Sequence, residues 1–189
     1  IEDLVINDSG TLNISLNEGV RRTCNLNLVN KNQKFNSFFK ELSIGSKFKL
    51  YLGDLINDEP YYFPQGIFVF DDPTLVSQTS NLTVQISGTD KWSMLNGQNG
   101  GILDSTYTIP SGTKVADVIK DTLNILVVSD PAPPVISSEF KDTVTTYDIT
   151  KEAGATVSEI FLDIALNISA YIYYDDIGRL HLTPVEYDD

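Results

Sequence analysis

The chain has 189 residues, 13 basic against 26 acidic, for a formal net charge of −13 and a pI of about 4.3. That charge repels nucleic acid and anionic membranes unless a local basic patch overrides it, and the densest basic stretch holds only Lys31, Lys34 and Lys40. A chain of this length buries roughly 70% of the surface its unfolded form exposes, so it needs neither disulfides nor metals to fold. The single cysteine, Cys24, has no intrachain partner and reads as a small buried hydrophobe. No apolar run is long enough for a membrane helix. A first residue other than Met, and a last segment where a strand or linker should begin, read as a chain that continues at both ends in the natural protein.

Residues 11–16 and 24–29 alternate polar and apolar, the period of half-buried strands. Asn17-Glu18-Gly19 between them is a turn signal, so the two form an antiparallel pair. Phe35, Phe38, Phe39 and Leu42 recur at helical spacing and predict a short helix, stopped by Gly45. Residues 47–52 alternate again; Gly53 and Asp54 break the run, and an acidic loop is expected through Pro60. Residues 61–71 form an aromatic strand in which Pro64 and Gly66 argue for an edge or a bulge. Residues 82–88 give the cleanest alternation in the chain. The glycine-rich run 97–101 reads as a flexible loop between sub-domains.

Beyond it the periodicity changes. Val115, Val118, Ile119 and Leu123 predict a helix with Thr113 as its N-cap. A Pro-rich extended connector follows at 129–138, then an extended stretch or strand at 143–149. Thr156 and Glu159 form a capping box ahead of Val157, Ile160, Phe161, Ile164, Ala165 and Ile168. Residues 171–174 and 179–183 flank Asp175-Asp176-Ile177-Gly178 and predict a hairpin. The expected fold is therefore α+β and mostly β. Residues 1–98 form a small antiparallel β-barrel, and residues 99–189 form an α+β unit of two helices and a β-hairpin.

Catalysis needs titratable groups converging in a pocket. His181 is the lone histidine, and a strand position between Leu180 and Leu182 turns it away from their face, toward solvent. One His and one Cys are too few for zinc. The acidic groups Asp54-Asp58-Glu59, Asp71-Asp72 and Asp175-Asp176 lack the spacing of a calcium loop and read as turn residues. The expectation is a protein that is not an enzyme and carries no catalytic, cofactor-binding or metal site. Exposed aromatics are the one feature that points to a ligand. Tyr61, Tyr62 and Trp92 are the residues that would stack on a sugar.

Three stretches together resemble one family. Residues 20–29, 47–53 with 62–70, and 84–95 (Val-Gln-Ile-Ser-Gly-Thr-Asp-Lys-Trp-Ser-Met-Leu) look like successive strands of the N-terminal domain of phage tail hub proteins of Gram-positive hosts. Ile160 to Thr183 is similar to the α+β part that follows in such proteins. Hub proteins continue into a second barrel, and this chain departs from them in length. The resemblance implies a virion protein made in the bacterial host cytoplasm. Its role would be a trimeric hub ring at a tail tip or baseplate. Its partners would be itself, tail tube and distal tail proteins, and a spike or fibre. DNA would pass an acidic lumen without specific binding, and there would be no membrane insertion and no cofactor. The interface candidates are Arg21 and Arg22 and the aromatic edge Tyr61, Tyr62 and Phe63. The alternative is a receptor- or glycan-binding surface module.

Overall fold

The computed structural model describes residues 10–15, 21–29, 45–71, 74–77, 82–126 and 132–185. The helix expected at 35–42 and the turn at 17–19 lie outside the described residues. The chain divides into two compact units, Ile1–Lys91 and Trp92–Asp189. The described residues are mostly β with two α-helices, so the α+β class holds.

The first unit is one six-stranded antiparallel sheet. Its strands are β1 (Gly10–Ile14), β2 (Arg22–Val29), β3 (Lys47–Ile56), β4 (Glu59–Phe70), β5 (Thr74–Ser77) and β6 (Leu82–Asp90). They run in the order β1-β2-β6-β4-β3, with β5 pairing β6 beside this path. Leu12 lies opposite Cys24, and Leu26 opposite Ile86, so the alternation in the sequence becomes a shared apolar face. That face buries Leu28, Phe70, Val84 and Ile86, with Leu26 and Phe48 packed against them. The Phe48 ring lies 5.6 Å from that of Phe68 and 4.4 Å from that of Phe70. Gly88 makes room for it: a Cβ there would fall 2.9 Å from the Phe48 ring and 3.0 Å from the Val69 carbonyl. The sheet is a curled half-barrel, and the described strands do not close it into the barrel expected.

The acidic loop expected through Pro60 is instead a strand pair. β3 runs on through Gly53 to Ile56, and only Asn57 and Asp58 separate it from β4. Both have positive φ, 55° and 64°, the conformation that a two-residue hairpin turn requires and that Asn and Asp tolerate. The bulge foreseen near Pro64 is present as a register shift between Leu50 and Tyr51. Proline is tolerated at 60 and 64 because this half of β4 pairs with β3 alone among the described strands.

The second unit is built on helices α1 (Val115–Leu126) and α2 (Val157–Asn167). Strands β7 (Tyr107–Ile109) and β9 (Ile149–Lys151) pair antiparallel, while β8 (Val135–Ile136) runs parallel to β11 (Leu180–Pro184). The expected hairpin forms from β10 (Ala170–Tyr174) and β11. The Pro-rich connector thus contributes a strand, held also by Ser137 N–H donating to the Leu182 carbonyl at 3.0 Å. Val157, Ile160, Phe161 and Ile164 of α2 are buried, each stabilising the unit by about 1.5–3 kcal/mol. The Thr156–Glu159 capping box is present: the Glu159 carboxylate accepts the Thr156 N–H at 3.2 Å. Thr113 does not cap α1. Its hydroxyl donates to the Pro110 carbonyl at 2.6 Å, and the first helical bonds, from Asp117 and Val118, go to the Lys114 carbonyl.

The glycine run at 97–101 is a tight turn rather than a flexible spacer. Gly97 N–H donates to Gly100 O at 2.9 Å, and Asn99 N–H to Ser93 O at 2.8 Å. Gly101, at φ +77°, lies so close that a Cβ would sit 2.6 Å from Leu95 Cα and the Met94 carbonyl. Its own carbonyl accepts the Val157 N–H at the start of α2.

Candidate functional site

Beyond the bulge, β3 and β4 leave the core as a two-stranded arm. Every residue from Tyr51 to Phe63 is exposed. Seven of them are large and apolar: Tyr51, Leu52, Leu55, Ile56, Tyr61, Tyr62 and Phe63, between 43% and 69% exposed. Leu52 lies opposite Phe63, Asp54 opposite Tyr61, and Ile56 opposite Glu59, and these side chains share one face of the ribbon. Tyr51, Leu55 and Tyr62 project from the other. Both faces are therefore apolar, and the charges, Asp54, Asp58 and Glu59, gather toward the tip. The strand begins at the opposite sign, with exposed Lys47 and Lys49 at its base.

The structure separates the candidates singled out in the sequence. Tyr61, Tyr62 and Phe63 lie together on the arm, but Tyr62 points to the face opposite Tyr61 and Phe63. Arg21 and Arg22 are half-buried, and both backbone N–H groups donate to Asp90 Oδ2, at 3.0 and 3.1 Å. An added Cβ on Gly66 would meet Arg22 Cδ at 3.6 Å, so the Arg22 stem lies over the bulge of β4. Asp90, 3% exposed, is the anchoring residue that sequence reading passed over. The signal was a carboxylate ending the cleanest alternating strand. Trp92 is 2% exposed and offers no surface for a sugar.

Cys24, His181 and Asp175 are the titratable residues most engaged by their surroundings. Cys24 is buried, and desolvation, with help from the Asp71 charge, pushes its thiol up to about 12. His181 does face away from buried Leu180 and Leu182, but it is not in solvent. Its Nε2 lies 2.8 Å from Asp175 Oδ2, and its ring stacks on Tyr173 with centroids 5.4 Å apart. Asp175 gathers the hairpin turn: Oδ1 accepts N–H bonds from Ile177 and Arg179, and Oδ2 accepts the Arg179 Nε–H at 2.9 Å. Burial pushes the Asp175 carboxyl up, but bonds from Arg179 and His181 outweigh it and hold the group below its ordinary value. Among the described residues no three His, Cys, Asp or Glu side chains converge as metal ligands. No described helix is long and apolar enough to cross a membrane.

No family model matches the chain, and no curated protein matches it. Among solved structures it is similar to the 43 kDa tail protein of prophage MuSo2 from Shewanella oneidensis. The TM-score is 0.56 at 18% identity, over 94% of this chain and 50% of that one. The chain thus shares its fold with a prophage tail protein and spans half of that protein's length.

Proposed function

We propose that this chain is a structural component of a phage tail tip or baseplate, acting in the hub ring that joins the tail tube to spike or fibre proteins. The observation that carries the reading is the likeness in fold, over nearly the whole chain, to a prophage tail protein. The resemblance of residues 20–29, 47–53 with 62–70, and 84–95 to hub proteins supports the same reading. In this reading the half-barrel is one wall of a barrel that forms the ring, and the ring holds three copies in a virion tail. The role is mechanical rather than enzymatic. Support comes from His181 and Asp175, the histidine and the carboxylate nearest to a catalytic pair, which are both engaged in holding a hairpin turn. The net charge of −13 would keep DNA phosphates from adhering in transit; a neutral or basic lumen in the assembled ring would refute that point.

The glycan-binding alternative is weakened by geometry. Trp92 is buried, and Tyr61 and Tyr62 project from opposite faces of one ribbon, so the three make no common platform. Imaging of intact tails, with this chain's density located, tests the reading. A threefold ring on the tail axis supports it. Density confined to a peripheral fibre sinks it and puts receptor binding first.

A further inference from the structure

A two-stranded ribbon is marginal in water even with one apolar face, and the β3–β4 arm has two. At about half exposure each, its seven apolar side chains present on the order of 100 Å² apiece, roughly 700 Å² together. The largest apolar patch on a typical monomer is about 300–600 Å². One side of a standard protein interface is about 800 Å². The arm alone therefore supplies most of one partner's share of a stable interface.

Charge identifies the partner. The tip is acidic, with Asp54, Asp58 and Glu59, while the base of the same strand carries exposed Lys47 and Lys49. At about 3.3 Å per residue, Lys47 and Asp54 are roughly 23 Å apart along β3, beyond the reach of their side chains. One arm cannot satisfy its own base, but the tip of one copy can meet the base of another. We infer that the arm docks on a second copy of this chain, head to tail: its apolar faces are enclosed and its acidic tip meets the neighbour's Lys47 and Lys49. Such a contact joins two different patches, so it repeats from copy to copy, and a rotation between copies that closes makes it a ring. The inference deepens the tail-ring reading and rests on it for the identity of the neighbour.

The test measures the oligomeric state of the full chain by light scattering across a concentration series. Four variants accompany the native chain: L55D/Y62D, K47E/K49E, D54K/E59K, and the fourfold swap K47E/K49E/D54K/E59K. All the altered side chains are exposed, and circular dichroism checks that each variant is folded. The expected result is association of the native chain, weakened at least tenfold in the first three variants and restored in the fourfold swap. Native-like association of L55D/Y62D overturns the arm inference while leaving a self-associating ring intact. A native chain that stays monomeric at millimolar concentration also overturns it, and the hub reading is then decided by the position of the chain in the tail. Weakening by single-sign swaps without rescue in the fourfold variant overturns the pairing of tip with base.

Discussion

Gly101 and Gly112 both have positive φ, +77° and +81°, but their surroundings differ. At Gly112 an added Cβ meets nothing within 4 Å; at Gly101 it would lie 2.6 Å from Leu95 Cα and the Met94 carbonyl. Replacing either by alanine forces an L-residue into the left-handed region at about 1–2 kcal/mol. Only Gly101→Ala adds a backbone overlap, and forced shifts of a packed interior run to about 1–3 kcal/mol more. It also displaces the Gly101 carbonyl that accepts the Val157 N–H, a bond of about 1 kcal/mol. The expected loss is therefore about 3–6 kcal/mol for G101A and about 1–2 kcal/mol for G112A. Urea unfolding followed by fluorescence measures both, because the sole tryptophan, Trp92, is buried in the same unit. Equal losses within about 0.5 kcal/mol would show that left-handed strain, rather than close approach, is why glycine stands at 101.

In the first unit, Gly88→Ala drives a Cβ into the Phe48 ring and should lower stability by about 1–3 kcal/mol, and the double variant with Phe48→Ala should recover part of the overlap term in a double-mutant cycle. The Cys24 thiol, pushed up to about 12, should resist a thiol reagent at pH 8 in the native chain and react once urea unfolds it. Its ordinary value is 9.0, so this contribution to stability is complete below that pH and declines as pH rises toward 12; Cys24→Ala should flatten that part of the alkaline profile. Asp175 has a lowered value, so its contribution is present above the ordinary 3.8 and is lost as pH falls below it. Asp175→Ala should cost about 2–3 kcal/mol at neutral pH and reduce the acid sensitivity of the second unit, a change read by unfolding at pH 7 and pH 3.

Local periodicity was enough for the elements that bury one face. The alternation at 24–29 and 82–88 and the helical spacing from Val157 to Ala165 each mark a single apolar side, and one-sided burial leaves a period that can be read without any knowledge of neighbours. The capping box and the Asp175–Gly178 turn were legible for the same reason: their bonds join residues at most four apart. The arm was not. Its apolar residues fall on both faces, so the alternation vanishes, and Gly53 with the acidic residues imitates a loop; only the two-residue turn at Asn57-Asp58 could have betrayed it. Tertiary structure also decided the fate of isolated polar residues. Nothing in the chain order ties Asp90 to the backbone of Arg21 and Arg22, 69 and 68 residues away, or shows that Trp92 is covered while Tyr61 and Tyr62 are not. Such contacts depend on which strands become neighbours, and in this sheet β2 lies between β1 and β6 while β4 lies between β6 and β3. Sequence alone determined the strands and helices that bury one face; the order in which the sheet brings its strands together determined which side chains are buried and which are left for another molecule.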